Sequence, residues 1–257
     1  MSTQHASPIP CPQCSHASRS VDEATAWCER CGLLWRPAGA STMKRTDEES
    51  PAASGFAAGH EVGGVRRRLG ARLARPAGLG PTLGYALGRL VGEGGARARQ
   101  LGYVQAPAGA RVLVVGRRPL PRALKLEEAG WKPTTLGPGE TGAPRIPHHE
   151  GAPEQMHRAP GAFDVVLLDR TLAVASDPRR VLEGARERLA PSGHVVVLET
   201  PVEGRVEDAA AALGARGEVR AWAVAGLRGL VRASHLDVRS TRRLPGGEVL
   251  LRARGTS

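Results

Sequence analysis

Between Phe163 and Pro201 two apolar runs flank one amphipathic stretch, a pattern that predicts a strand, a crossover helix and a second strand of a parallel sheet. Val165–Leu168 and Val195–Leu198 are continuously apolar rather than alternating, as strands covered on both faces require. Between them Asp177 is suited to cap a helix and Pro178 to open it. Val181, Leu182, Ala185 and Leu189 then recur at helical spacing before Pro191 and Gly193 stop it. Such a connection leaves both strand ends on one edge, where open sheets of this kind take their ligands.

The same patterning extends in both directions. Arg111–Gly116 (RVLVVG) predicts a buried first strand, 121–130 a helix ending on glycine, Lys132–Leu136 a second strand, and 145–149 a weakly marked third. Beyond Pro201 come one or two helices, including one over 219–231 with Trp222, Leu227 and Leu230. Two strands follow, 235–243 and 248–254, joined as an antiparallel hairpin at Gly246-Gly247. Upstream, 61–75 sets Val62, Val65, Leu69 and Leu73 against Arg66, Arg67, Arg68, Arg72 and Arg75, an amphipathic helix whose basic side reads as a solvated face. A second helix from Pro81 uses Leu83, Leu87, Leu90 and Val91, with Gly84, Gly88 and Gly92 suited to close packing. The polar, small-residue stretch 37–60 reads as a linker.

All four cysteines fall in one window, as Cys11-Pro-Gln-Cys14 and Cys28-Glu-Arg-Cys31 with thirteen residues between the pairs. Two such knuckles can aim four thiolates at one tetrahedral Zn²⁺, and Gly32 lets backbone N–H groups face the sulfurs. So short a segment cannot fold on apolar burial alone. A metal would supply much of its stability, with Trp27 and Trp35 as a small core. Iron in the same sulfur cage is the rival, and disulfides or a redox pair are the alternatives. His16 reads as solvent-facing. Domain boundaries follow: a ribbon over 1–36, the linker over 37–60, and an α/β domain over 61–257 with helices to 105 and the sheet core from 111.

Composition changes the picture little. Lys+Arg 36 against Asp+Glu 25 gives a net charge of +11, yet aromatics are only 3%, so nothing interleaves with the arginines to stack bases and nucleic acid is not the favoured partner. A small-molecule substrate or a protein partner fits better. No apolar run is long enough to cross a bilayer and no leader pattern follows Met1, which predicts a cytoplasmic protein.

The order of these pieces resembles the class I S-adenosylmethionine-dependent methyltransferases, in particular members with an N-terminal four-cysteine zinc ribbon. The resemblance rests on Cys11–Leu34, on RVLVVG followed by a helix and Ala129-Gly130-Trp131, and on FDVVLL with Asp177-Pro178. It continues through Leu189-Ala190-Pro191-Ser192-Gly193, Glu199-Thr200-Pro201 and the closing hairpin. It implies a Rossmann-like, doubly wound, mostly parallel α/β sheet. It also implies a glycine-rich loop after the first strand beneath the methionine part of the cofactor, a carboxylate after the second for the ribose, and a fourth strand ending beside the reacting methyl group.

Against that pattern Gly116 takes the first glycine position, while Arg118 and Leu120 stand at the next two, with Pro119 and Pro121 stiffening the loop. The ribose carboxylate falls on Gly137, with Glu140 as its substitute if the loop folds back. The acid and histidine found in many relatives after the fourth strand correspond to Ala173 and Val174. Asp169 is the ligand-edge candidate there, or a cap for the following turn. Gly116, Glu140 and Asp169 are therefore the cofactor-site candidates, and Cys11, Cys14, Cys28 and Cys31 the metal ligands. His148, His149 and His157 read as solvent-exposed loop residues. Three functions are compatible: a small-molecule methyltransferase, a catalytically silent module of the same fold, and an RNA methyltransferase using the ribbon and the Arg66–Arg75 face.

Overall fold

A computed structural model describes residues 9–37, 104–139, 145–244 and 247–256. The chain divides into two compact units, one of Met1–Ser41, Arg111–Ala123 and Pro133–Ser257, the other of Thr42–Ala110 and Leu124–Lys132. In the second unit the Trp131 indole N–H donates to the Ala106 carbonyl at 3.2 Å. All but the first residue of the linker over 37–60, the two helices expected over 61–75 and from Pro81, and Glu140 lie outside the described residues.

The first unit is built on a seven-stranded sheet. Its strands are β5 (Arg111–Gly116), β6 (Lys132–Gly137), β7 (His148–Glu150), β8 (Phe163–Asp169), β9 (Leu189–Glu199), β11 (Leu236–Arg243) and β12 (Val249–Gly255), in the spatial order β11-β12-β9-β8-β5-β6-β7. β5, β6, β7, β8 and β9 run parallel, and β12 enters antiparallel between β9 and β11. The apolar runs behave as their composition demands: Val112–Val115, Val165–Leu168 and Val195–Leu198 are all buried. Helix α1 (Leu120–Glu128) follows β5, and α2 (Pro178–Glu187) is the crossover between β8 and β9. Asp177 caps α2 as expected, accepting from the Arg179 and Arg180 N–H groups at 3.1 Å each.

The weakly marked third strand forms over His148–Glu150 rather than 145–149, and two further boundaries differ from the sequence expectation. α2 ends at Glu187, and Leu189 already pairs with Phe163 in β9. Phe163 donates its N–H to the Arg188 carbonyl at 2.8 Å, so strand pairing captures the chain there, and Pro191 and Gly193 fall within β9 at its register shift. After α3 (Val206–Ala215), the helix expected over 219–231 is split: Arg220–Trp222 forms a strand, β10, and α4 spans Val224–Ala233. α4 packs on the β11–β12 hairpin, burying Leu227, Leu230 and Val231 against Val249, Leu251 and Ala253.

The split has a cause. The cysteine-rich segment forms β1 (Ile9–Pro10), β2 (Ala17–Ser20), β3 (Ala26–Cys28) and β4 (Leu33–Trp35), and β10 adds antiparallel to β4, pairing Arg220 with Trp35, Ala221 with Leu34 and Trp222 with Leu33. Trp35 and Trp222 are buried there, while Trp27 is half-buried. The Trp222 indole N–H donates to Gln13 Oε1 at 2.8 Å, and the Ala223 N–H to the Gly32 carbonyl at 2.7 Å. Gly32 sits at φ +64, with Ala223 Cβ only 2.7 Å from where its own Cβ would be. A Cβ on Gly226 would run into the Cys31 carbonyl. Gly226→Ala should therefore destabilise the protein by about 1–3 kcal/mol through forced separation of two backbones, read as a lowered urea midpoint together with altered Trp222 fluorescence.

Candidate functional site

Register fixes the carboxyl edge of the sheet. Gly116, the last residue of β5, lies opposite Asp169, the last of β8, and Asp169 lies opposite Leu198 of β9. A Cβ on Gly116 would stand 3.0 Å from the Asp169 carbonyl, so this glycine is required by the neighbouring strand. The loop after β5 folds down onto β6. A Cβ on Gly137 would collide with the Gly116 carbonyl and lie 3.2 and 3.3 Å from Pro119 Cδ and Cγ. Arg117 Nη1 reaches sideways to the Gly217 carbonyl at 3.2 Å.

Asp169 is engaged. Arg122, from the first turn of α1, grips it with Nε on Oδ2 at 2.6 Å and Nη2 on Oδ1 at 3.1 Å, and the two side chains are only 17% and 18% exposed. This two-bond fork is the strong form of an arginine–carboxylate pair. The segment that follows is pinned as well: Thr171 Oγ1 donates to the Val115 carbonyl at 2.7 Å, and the Leu172 N–H donates to Glu199 Oε1 at 2.7 Å. The Ala173 carbonyl accepts from the Val219 and Arg220 N–H groups at 2.9 and 3.1 Å, so residues 219–222 touch both this segment and the ribbon.

The four cysteines converge as their spacing predicts. Their sulfurs all lie within 4.8 Å of one another, with Cys11 Sγ 3.5 Å from Cys31 Sγ and Cys14 Sγ 3.6 Å from Cys28 Sγ. The Gln13 backbone N–H donates to Cys11 Sγ at 3.4 Å. Burial, then the Cys11 thiol, pushes the Cys31 thiol up. At Cys28 burial is outweighed by the Cys31 backbone N–H and the neighbouring thiols, which bring that thiol down to about 7. Thiols this crowded ionise together only when a cation offsets their charge, so the donor set fits a metal ion. His16 is exposed and outside the cluster, as expected.

The histidines of the 137–162 region are less free than expected. His148 is half-buried in β7, where Nδ1 meets Thr135 Oγ1 at 3.0 Å and Nε2 meets the Gly139 carbonyl at 2.5 Å, tying β7 to β6. His149 is also half-buried, and His157 is exposed.

No protein-family model matches the chain, and no curated protein matches it. Solved structures do. A chain of the complex between the Haloferax volcanii Trm112 methyltransferase activator and a methyltransferase is 15% identical, with a TM-score of 0.53 over 63% of this chain and 90% of that one. A methyltransferase from Bacillus halodurans is 11% identical, with a TM-score of 0.52 over 63% of this chain and 99% of that one. The chain has the class I methyltransferase fold. An O-methyltransferase family 2 protein from Planctomyces limnophilus, in complex with apigenin, is 19% identical, with a TM-score of 0.50 over 74% of this chain; the chain spans 62% of that protein's length. Among the described residues no helix is long and apolar enough to cross a membrane.

In the class I methyltransferase fold the cofactor would rest on the ends of β5, β6 and β8, and the residues here do not fit it. Pro119 and the Gly116 carbonyl leave no room for a side chain at Gly137, where the ribose carboxylate would have to stand, and Arg122 holds Asp169. Sequence reasoning missed Arg122 because nothing local marks an arginine on a helix as a partner for a strand end. It missed Glu199 as a site residue although a lone acid ending the run Val195–Leu198 was a usable signal.

Glu199 is fully buried, and burial pushes its carboxyl well above the usual range against the Leu172 and Ala173 N–H bonds, with the charges of Glu218 and Asp169 adding to the rise. A carboxyl whose folded-state pKa is raised binds its proton more tightly in the native state. Its stabilising effect is complete below the ordinary carboxylate range and is lost as pH climbs toward the raised value. Glu199→Gln keeps the acceptor for Leu172 but cannot titrate, so urea midpoints from pH 5 to 9 should fall with pH in the native protein and fall less steeply in the variant.

Proposed function

We propose that this protein is a catalytically silent methyltransferase-fold module that binds a partner and does not turn over S-adenosylmethionine. The observation that carries the reading is the closed floor: Pro119 packed against the end of β6 and the Arg122–Asp169 fork beside Gly116. Methyl transfer needs little from the protein beyond alignment of nucleophile, methyl carbon and sulfur with water kept out, so a chain can lose acids and histidines and remain active. Losing the space for the cofactor is different. The four-cysteine cluster, in the same reading, holds a structural Zn²⁺: four thiolates and no open position suit a closed tetrahedral site that supplies folding energy rather than chemistry.

Two measurements test this. Calorimetric titration of the metal-loaded protein with S-adenosylmethionine and S-adenosylhomocysteine should give no heat of binding. A Kd tighter than about 1 mM for either ligand overturns the reading. Independently of any cofactor, Gly137→Asp should lower stability by about 1–3 kcal/mol in thermal melts, because its side chain must displace Pro119 and the Gly116 carbonyl. A neutral effect would mean the floor is open.

The second reading is methyl transfer to a small molecule. It is favoured by the complete strand order of the fold and by the likeness to the O-methyltransferase family 2 protein solved with apigenin. Saturable cofactor binding in the first measurement is its signature.

A further inference from the structure

The β11–β12 hairpin carries five arginines, and they divide into two kinds. Arg239 pairs with Asp237 at 3.1 Å and Arg243 with Glu203. Arg242, Arg252 and Arg254 have no carboxylate partner among the described residues, although Arg252 is only half-exposed.

Their placement follows from the pleat. Leu251 and Ala253 of β12 point to α4 and the core, so Arg252 and Arg254, alternating with them, project from the opposite face. Arg242 stands opposite Leu250, which has the same parity, and so joins them. The grouping is close enough that burial, then Arg254 and Arg242, draws the Arg252 pKa down. Gathering three like charges in this way costs stability, and the one acid across from them in the register, Asp237 opposite Arg254, is already paired with Arg239. Charged side chains on an edge strand do guard against strand addition, which would account for Arg242 on β11. Arg252 and Arg254 lie on β12, whose two edges are both paired, and that explanation does not reach them.

We infer that Arg242, Arg252 and Arg254 form a docking surface for the phosphodiester backbone of a nucleic acid. The charge is complementary, on a chain of net +11. Arginine alone supplies it, and the planar guanidinium matches phosphate oxygens in a two-bond fork. Arg252 and Arg254 repeat along one strand face at about 7 Å, a spacing suited to a linear array of anions. A protein partner would need apolar or aromatic anchors. Among the described residues the only exposed large hydrophobic is Val219, which precedes β10 and is not on this hairpin. The hairpin itself has no aromatic side chain to stack on bases, so its contact is with the backbone and independent of base sequence. The inference holds whether or not the fold binds S-adenosylmethionine.

The test is fluorescence-anisotropy binding of the full, metal-loaded chain to labelled RNA and DNA duplexes of equal length across a salt titration. Arg242→Gln/Arg252→Gln/Arg254→Gln should flatten the slope of log affinity against log salt by about 2 to 3, while the melting temperature stays the same or rises as repulsion is relieved. The charge-matched control is Arg19→Gln/Arg179→Gln/Arg205→Gln, whose arginines all face carboxylates, and it should change the slope far less. Binding to RNA, DNA or both supports the inference, and a preference between them names the source of the phosphates. Failure of the native chain to bind either duplex overturns it. So does an equal change in the control, an unchanged slope in the hairpin variant, or equally effective competition by polyglutamate, which would make the occupant an acidic protein.

Discussion

Dryness on both faces of β5, β8 and β9 is the constraint from which the rest of the α/β unit follows. Once Val112–Val115, Val165–Leu168 and Val195–Leu198 are removed from water, every backbone N–H and C=O along them must find a partner inside the sheet. Parallel pairing in a single register satisfies them, and that register sets Gly116 beside Asp169 and Asp169 beside Leu198. The carboxyl edge is thus a by-product of backbone accounting in the core. What happens on the edge is left to the loops.

That division explains what was legible in the sequence. Apolar periodicity is a property of buried elements, so β5, β8, β9, the Asp177-capped helix and the terminal hairpin could be read directly, and the Cys-x-x-Cys pairs announced their own convergence. The three residues of β10 could not be read. Nothing in Arg220–Trp222 distinguishes a strand from the first turn of a helix until β4, far away in the chain, offers its free edge. Arg122 illustrates the same limit: its role depends on Asp169, and one chain alone records no such pairing. Glycine positions were half legible. The absence of side chains at Gly116 and Gly137 was visible, but only the structure shows that a carbonyl and a proline ring lie where a Cβ would go.

Closure of the edge and convergence of the cysteines are two unlike solutions within one unit. At the edge, a fork of opposite charges and a proline ring pack against the strand ends, each group satisfied by a neighbour within the chain. At the cysteines, four sulfurs crowd within 4.8 Å, an arrangement in which thiolates would repel one another unless a cation lay between them. The first arrangement is complete in itself. The second has room for an ion.

The strand pairing of Leu33–Trp35 with Arg220–Trp222 bears on how this chain can be cut. A truncated version beginning after the cysteine-rich segment would leave β10 with a raw lateral flank of unmet amides and carbonyls beside an uncovered Trp222, a template for adhesion between copies. The small N-terminal appendage thereby serves as a bandage on the larger body, and the boundary that looks natural in the primary structure is the wrong place for scissors.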